Sequence, residues 1–357
     1  MVYIIYSGRQ RSMMSRQRKQ KRWWLRIVLG VGVVVILVLV GVAVRYVSSY
    51  NNFLDKISRG NLPAEEYAEM EIGEVEVKKE PFAVLISGSD SRVGIEDTTA
   101  RSDVNIVAVV NPVESKILLV SIPRDTYVQL HGTTGLRDKL THAGIYGINM
   151  SKTTIEDFLG IKIDHTIKVS FDTVVRVVDQ LDGVEIDSDK AMSLSVEGKD
   201  KKCNYVEGRQ VVDGDCALRF SRERKSYETG DRHRGENQMQ VLTAIIEKIT
   251  GAQNYILRLP AILDIAADSF ETTFARSEIE GFIGLQLTEH PAWEVKSISV
   301  DGVGAMLPTY SMGENRPLYV MLADEESVAE VKRQIGTYLA NVEETDGSEA
   351  SVADARE

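Results

Sequence analysis

Residues 104–122 have the sequence VNIVAVVNPVESKILLVSI, and this stretch decides the fold. Two apolar runs, VNIVAVV (104–110) and KILLVSI (116–122), flank the short polar connection NPVES. Runs of this length, rich in valine and isoleucine and joined by a turn with Asn and Pro, predict two strands of a hairpin. A third run, FAVLI (82–86), predicts another buried strand just before them.

Downstream of this hairpin, helical and strand patterns alternate. Helices are predicted near 151–159, 172–181, 233–250, 277–287 and 325–340, and shorter strands near 165–169, 184–187, 295–300 and 318–322. Asp231 is the predicted N-cap of the third of these helices. The order predicts an α/β (α+β) fold with one mixed sheet and helices on its faces, in a single domain over residues 81–340.

The hairpin brings polar residues to one edge of this sheet. With the turn at 111–115, strand pairing sets Asp103 opposite Arg124, with Asp125 next to it. Asp90 follows the FAVLI strand, and it would reach the same edge if that strand lay parallel beside the second strand of the hairpin. Ligands favour the carboxyl ends of strands, and two carboxylates near arginines suit Mg²⁺ or Mn²⁺ bridging phosphates. Solvated ion pairs at strand ends are the alternative.

A second polar cluster lies at residues 221–240, SRERKSYETGDRHRGENQMQ. The apolar phase of the helix that starts within it turns Arg234 and Gln238 toward the buried side. An inward arginine near a helix N-terminus needs an anion, and the helix end itself attracts one. Arg222 and Arg224 alternate on the preceding segment, which is predicted to be extended, so they share a face. The cluster predicts a phosphate site, with a surface run of charges as the alternative.

The N-terminal region predicts a membrane anchor. Ile27 to Val44 contains no charged or strongly polar residue and would form about 27 Å of helix, close to the thickness of a hydrocarbon core. Residues 1–26 carry eight basic residues and no acidic one, which predicts a cytoplasmic N-terminus. We therefore expect a basic tail, one transmembrane helix (27–45) and an extracellular stalk (46–80). A cleaved signal peptide is the alternative.

Charge and motif content exclude several classes of function. The chain has a net charge of −11 despite its basic tail, so the outer domain is strongly acidic and should repel nucleic acid. It has no GxGxxG, P-loop, GxSxG or HExxH motif. Cys203 and Cys216 lack zinc-ligand spacing, and both a disulfide and two unpaired thiols remain open. The acidic tail (341–357) is predicted to be disordered.

Taken together, these clusters resemble the LytR-CpsA-Psr (LCP) family of cell-wall ligases. The matching stretches are LISGSDSR (85–92), ARSDVNIVAVVNP (100–112), SIPRDTYV (121–128), DKLTHAGIYG (138–147) and DCALRFSRERKSYETGDRHRGENQ (215–238). They occur in the family's order, and an anchor followed by an outer domain also fits the family.

The resemblance implies a transferase of substituted phosphate groups, anchored in the cell membrane of a Gram-positive type bacterium with its catalytic domain outside. The donor would be an anionic glycopolymer, of the teichoic acid or capsular type, on a polyprenyl pyrophosphate. The polyprenyl tail would lie in an apolar tunnel between sheet and helices. The acceptor would be a peptidoglycan hydroxyl, and the product a phosphodiester.

The resemblance also implies roles for individual residues. Asp90 and Asp103 match the metal-associated carboxylates, Asp90 being the expected base, and Arg124 is the third catalytic residue. The expected pyrophosphate clamp consists of Arg101, Arg124, Lys139, Arg222, Arg224, Arg234 and Gln238. Arg92 and Asp231 also match motif positions.

Three alternative functions are open from the sequence. A polyprenyl-pyrophosphate phosphatase would use the same residues, with water in place of the sugar hydroxyl. A non-enzymatic membrane regulator of transcription would need a DNA-binding element, and no helix-turn-helix is visible in the short N-terminal tail. A polysaccharide-binding module would not need inward arginines.

Overall fold

The computed structural model describes residues 41, 44–52, 54–56, 75–89, 101–227, 230–251, 262, 264–265 and 270–340. The chain divides into two units, Met1–Asn51 and Asn52–Glu357. In the first unit, the described residues are helical. Within the described ranges, no helix combines the length and apolar character that a membrane span requires. The predicted span, the basic tail and the acidic tail lie almost wholly outside these ranges.

The second unit is built on a six-stranded mixed sheet. Its strands are β1 (Phe82–Ser89), β2 (Val104–Asn111), β3 (Lys116–Ser121), β6 (His165–Ser170), β11 (Phe270–Thr272) and β12 (Glu294–Ser299). They are arranged in the order β11-β6-β1-β2-β3-β12. β2 runs antiparallel to both β1 and β3, while β6 is parallel to β1 and β12 is parallel to β3. The predicted mixed sheet is confirmed.

Helices cover both faces of this sheet. They are α1 (Leu140–Ala143), α2 (Ile148–Leu159), α3 (Phe171–Gln180), α4 (Gly214–Ser221), α5 (Gly230–Gly251), α6 (Arg276–Glu289) and α7 (Glu325–Leu339). Because strand residues alternate between faces, Val107 packs in one cluster with Ile155 of α2 and Ile335 of α7. Leu119 packs on the opposite face with Met239 of α5. All five predicted helices are present.

β1 reaches the predicted edge of the sheet without lying directly beside β3. β1 does not lie beside β3, because β2 pairs with it along its length, from Phe82 opposite Val110 to Gly88 opposite Val104. The two outer strands still run parallel to each other, so β1 ends at the edge where β3 ends. The Asp103 N–H donates a hydrogen bond of 2.9 Å to the Gly88 carbonyl at that edge. Asp90 and Arg92 lie outside the described residues.

Among the described residues, the other strands form two-stranded pairs. These are β4 (Tyr127–Gln129) with β5 (Arg137–Lys139), β7 (Val184–Ser188) with β10 (Gly208–Val212), β8 (Met192–Ser195) with β9 (Lys202–Tyr205), and β13 (Gly302–Thr309) with β14 (Gly313–Ala323). Cys203 of β9 and Cys216 of α4 form a disulfide. Of the two possibilities left open by the sequence, a disulfide and two unpaired thiols, the structure has the disulfide. The bond links the β8–β9 hairpin to α4.

The end of the predicted stalk packs on the folded domain. Val77 is buried in the cluster that covers one face of the sheet. The Val75 N–H donates a hydrogen bond of 3.0 Å to the carboxylate of Glu278 in α6. Residues 75–80 therefore belong to the packed structure, which begins earlier than residue 81.

Candidate active site

The β2–β3 pairing sets the centre of the candidate site. The hairpin register pairs Ile106 with Ser121 and, continued to its open end, sets Asp103 opposite Arg124 as predicted. Nη1 of Arg124 donates a hydrogen bond of 2.6 Å to Oδ1 of Asp103. Their side chains remain 26% and 28% exposed, so a ligand can reach both groups.

Asp125 connects this pair to Lys139. The Asp125 carboxylate accepts a hydrogen bond of 2.7 Å from Lys139 Nζ and lies 3.7 Å from Nε of Arg124. The β4–β5 hairpin supplies Lys139, which pairs with Tyr127. Asp125 is almost completely buried, and a buried carboxylate is stable only when cationic or hydrogen-bonding groups pair with it. It therefore holds the Arg124 and Lys139 side chains near each other.

Asp138, the residue before Lys139, lies in a buried polar cluster. The Asp138 carboxylate lies 2.6 Å from Nδ1 of His142 and accepts a hydrogen bond of 2.8 Å from the Ser311 N–H. Burial would raise the pKa of Asp138, but hydrogen bonds from His142, from Ser311 and from the Lys139 N–H outweigh it and hold the pKa below its usual range. Asp138 is thus an ionised anchor that fixes β5 to the turn between β13 and β14.

Helix α5 brings further cationic and amide groups to the same edge. Its first turns carry Arg232, Arg234 and Gln238, and Gly235 lets the helix approach the end of β3: an added Cβ there would lie 3.3 Å from Oγ of Ser121. The helix and the strand ends enclose one small pocket. Its lining consists of Asp103, Asn105, Ser121, Ile122, Pro123, Arg124, Arg232, Arg234, Gly235, Gln238 and Ser299.

The pocket brings together four of the predicted site residues, and the other described ones lie outside its lining. Lys139 is connected to it through Asp125. Arg101 and Arg224 are exposed, and the guanidinium of Arg222 lies 5.1 Å from the ring centre of Phe171. The roles assigned to these four residues remain predictions.

Two local predictions around α5 were wrong. Arg222 is the C-cap residue of α4 and has helical φ and ψ angles, so the segment carrying Arg222 and Arg224 is not a simple extended strand with both side chains on one face. The apolar face of α4 buries Phe220, which favours helix up to that point. Helix α5 begins at Gly230, one residue before the predicted N-cap Asp231.

Sequence reasoning missed Arg232 and gave Asp125 a position but no role. Arg232 is more than half exposed and lies 3.4 Å from Asp301 and 3.5 Å from Glu236. Its position near the start of α5 was a usable signal, since backbone N–H groups and the dipole at a helix N-terminus attract an anion that a nearby arginine can also bind.

The oxygen donors of the pocket fit a hard divalent cation. Mg²⁺ is commonly bound by one or two carboxylates together with substrate phosphates, and Asp103 supplies one carboxylate among the described residues. In those residues no group of three or more His, Cys, Asp or Glu is placed to hold a metal ion. The donor set therefore suits a cation shared with a phosphorylated ligand.

Comparison with known proteins gives consistent similarities. The profile of the LytR_cpsA_psr family matches residues 47–334. A protein of Halalkalibacterium halodurans named polyisoprenyl-teichoic acid--peptidoglycan teichoic acid transferase TagU is 32% identical over 265 residues, which are 73% of this chain and 80% of that protein. The Bacillus subtilis protein of the same activity name, TagT, is 28% identical over 331 residues, 91% of this chain and 98% of its own.

Solved structures give the same picture. The crystal structure of B. subtilis TagV superposes with a TM-score of 0.61 at 28% identity, covering 73% of this chain and 98% of that one. A structure described as TagT bound to LIIa-WTA superposes with a TM-score of 0.58 at 26% identity, covering 79% of this chain and 98% of that one.

Proposed function

The chain belongs to the LytR_cpsA_psr family, and from that premise we propose that it transfers an anionic glycopolymer of the teichoic acid type from a polyprenyl pyrophosphate to a peptidoglycan hydroxyl. The names of its relatives support the polymer class and the acceptor. The observation that carries the proposal is the pocket in which the Asp103–Arg124 pair meets Arg234 and Gln238.

The charge distribution suits a pyrophosphate. Such a group repels an attacking oxygen until its negative charge is offset, and guanidinium groups match phosphate oxygens in a two-pronged geometry. Arg124 comes from a strand end and Arg234 from the first turns of α5, so the two guanidinium groups approach one ligand from different elements. Gln238 adds an uncharged amide donor one helical turn further on.

In the proposed reaction, the acceptor hydroxyl oxygen forms a bond to the polymer-side phosphorus. The bond from that phosphorus to the bridging oxygen breaks, and polyprenyl monophosphate leaves with the electron pair. The hydroxyl proton passes to a carboxylate, for which Asp90 remains the proposed base. Arg124 and Arg234 stabilise the charge that develops on the leaving phosphate.

The divalent cation and the membrane setting are parts of the same proposal. Asp103 and Asp90 would hold Mg²⁺ or Mn²⁺, which would neutralise phosphate charge when bound. A single span at residues 27–45 would keep the enzyme on the surface that carries its lipid-linked donor. The isoprenoid tail would lie in an apolar tunnel between the sheet and its helices, as the family resemblance implies.

Reconstitution with a lipid-linked polymer and purified peptidoglycan tests this function. We expect wild-type protein to join polymer to peptidoglycan, and Arg124→Ala to reduce that product about 100-fold or more, because a transition-state donor is lost. Arg333→Ala is the matched control, since this arginine of α7 is exposed and forms an ion pair with Glu330 of the same helix. Release of free polymer phosphate without joined product would instead identify a hydrolase.

A further inference from the structure

An exposed aromatic surface lies beside the candidate site on the β13–β14 hairpin. Tyr319 is 50% exposed and Met306 is 61% exposed. The two residues are directly opposite each other in the strand register, so their side chains share one face. Gly304 lies two residues before Met306 and therefore belongs to the same face. We call this face, formed by Gly304, Met306 and Tyr319, the Tyr319 platform.

Gly304 determines how the tyrosine ring lies. A Cβ added to Gly304 would lie 2.7 Å from Cε2, 3.2 Å from Cζ and 3.0 Å from the hydroxyl oxygen of Tyr319. The ring therefore lies across the glycine backbone instead of standing out from the sheet. Glycine inside a strand often marks a close approach of another group. Here it gives a flat aromatic surface with one side open.

The Tyr319 platform is continuous with the candidate site. Nζ of Lys139 lies 6.0 Å from the centre of the Tyr319 ring and donates to Asp125, which neighbours Arg124. The Met321 N–H donates a hydrogen bond of 2.8 Å to the Asp125 carbonyl, so β14 is joined directly to the loop that carries Arg124. The position of the ring is thus fixed relative to the reacting centre.

A flat aromatic ring next to a fixed cation suits a polysaccharide. Hexose rings have an apolar face of C–H groups and a polar rim, and they stack on tyrosine through the apolar face. The thioether of Met306 adds an adaptable apolar contact. The Lys139 ammonium group can form ion pairs with carboxylates on the sugar substituents or stem peptides of peptidoglycan. A membrane surface fits less well, because the platform is small and is bordered by the Lys139–Asp125 ion pair.

Reaction geometry separates the acceptor from the donor. In a phosphoryl transfer, the attacking and leaving oxygens lie roughly in line on opposite sides of the phosphorus. The proposed donor pocket has Arg234 and Gln238 of α5 in its lining, and no platform residue belongs to that lining. Arg124 connects to the platform by a different set of neighbours, Asp125 and Lys139. We propose that the Tyr319 platform binds the glycan strand of the peptidoglycan acceptor, an inference that rests on the proposed function.

Co-sedimentation with insoluble peptidoglycan, stripped of teichoic acid, tests the platform without requiring turnover. We expect Tyr319→Ala to weaken binding about three- to tenfold, the size of one stacking contact. Gly304→Val should weaken it to a similar degree because the new side chain displaces the ring. Tyr319→Phe keeps the ring and should bind normally. Val303→Ala is the matched control, since Val303 is 68% exposed on the opposite face of the hairpin.

Transfer kinetics supply the second measurement. Tyr319→Ala should raise the KM for soluble peptidoglycan fragments and leave the KM for the lipid-linked donor unchanged. Unchanged peptidoglycan binding in Tyr319→Ala overturns the inference, as does a change confined to the donor KM. Wild-type binding to phosphatidylglycerol vesicles that is lost in Tyr319→Ala also overturns it, in favour of a lipid contact. Absence of transfer by the wild-type protein would contradict the proposed function. The sedimentation experiment would still show whether the Tyr319 platform binds peptidoglycan.

Discussion

The Asp103 carboxylate and the Arg124 guanidinium are joined by a 2.6 Å hydrogen bond across the open end of the β2–β3 hairpin. Each is held by a neighbour on its own side: the Asp103 N–H by the Gly88 carbonyl, and the Arg124 side chain by Asp125. The pair is rigidly placed yet partly exposed, which is the combination that a binding group for a charged ligand requires.

The first prediction separates the two members of this pair. Asp103→Asn should raise the Mg²⁺ concentration needed for half-maximal transfer about tenfold or more, because a neutral amide is a weaker ligand than a carboxylate. Arg124→Lys should lower kcat at every Mg²⁺ concentration, because the ammonium cannot bind phosphate in two-pronged fashion. Titrations of transfer against Mg²⁺ measure both. Identical Mg²⁺ curves for Asp103→Asn and wild type would exclude Asp103 as a metal ligand.

Gly235 gives a second prediction, on the shape of the pocket. Gly235→Val should reduce transfer about tenfold or more, because the new side chain meets Ser121 and moves the first turns of α5 away from β3. Gly251→Val at the end of the same helix is the control, since an added Cβ there has no atom within 4 Å. Circular dichroism should give similar helix content for both variants. Equal transfer by both would show that the close approach is not needed.

The third prediction concerns the buried anchor beneath Lys139. Asp138→Asn should lower the free energy of unfolding by about 3 kcal/mol. Asp138 is fully buried, and the substitution removes the negative charge to which its partners donate hydrogen bonds. Asp157→Asn is the control, because the Asp157–His131 pair is exposed and should contribute about 0.5 kcal/mol or less. Urea unfolding at pH 7 measures both.

Asp138 should also make the stability of the protein depend on pH. Since the pKa of Asp138 is lowered in the folded state, its contribution is complete above the unfolded value of about 4 and is lost as the pH falls through the lower folded value. The difference in stability between wild type and Asp138→Asn should therefore shrink below about pH 4. A difference that stays constant down to pH 2 would contradict the ionised state of the anchor.

The disulfide gives a fourth prediction. Cys203 and Cys216 are 13 positions apart in the sequence, and closing a loop of that size stabilises a protein by about 3 kcal/mol. Reduction, or the double change to alanine, should lower the melting temperature, and reductant should have no further effect on the double variant. Transfer should persist below the lowered melting temperature, because neither cysteine lines the pocket. Complete loss of transfer on mild reduction would instead mean that α4 must be held for activity.

Local patterns in the sequence were enough to predict the hairpin and the helices. The four-residue connection after Asn111 leaves one register for β2 and β3, so the Asp103–Arg124 pair could be inferred without a structure. The phase of apolar residues in α5 likewise placed Arg234 and Gln238 in the pocket. These features depend on neighbours in sequence, where spacing alone carries the information.

Features that depend on distant segments could not be predicted in this way. The neighbours of β1 could not be determined from the sequence, because several strand orders satisfy the same apolar runs. The hydrogen bond from Met321 to Asp125 joins segments almost 200 residues apart, and no spacing in either segment indicates it. Arg222 was placed on an extended segment because the preceding helix α4 is only eight residues long and gives a weak periodic signal.

The strand that ends at the site is an interior strand of its sheet. β3 is hydrogen-bonded to β2 on one side and to β12 on the other, up to Ser121. The guanidinium that follows it is consequently set in place when the domain folds, before any lipid head arrives. An arriving phosphate meets dipoles and charges that are already oriented, so little solvent or side-chain reorganisation is left for the chemical step.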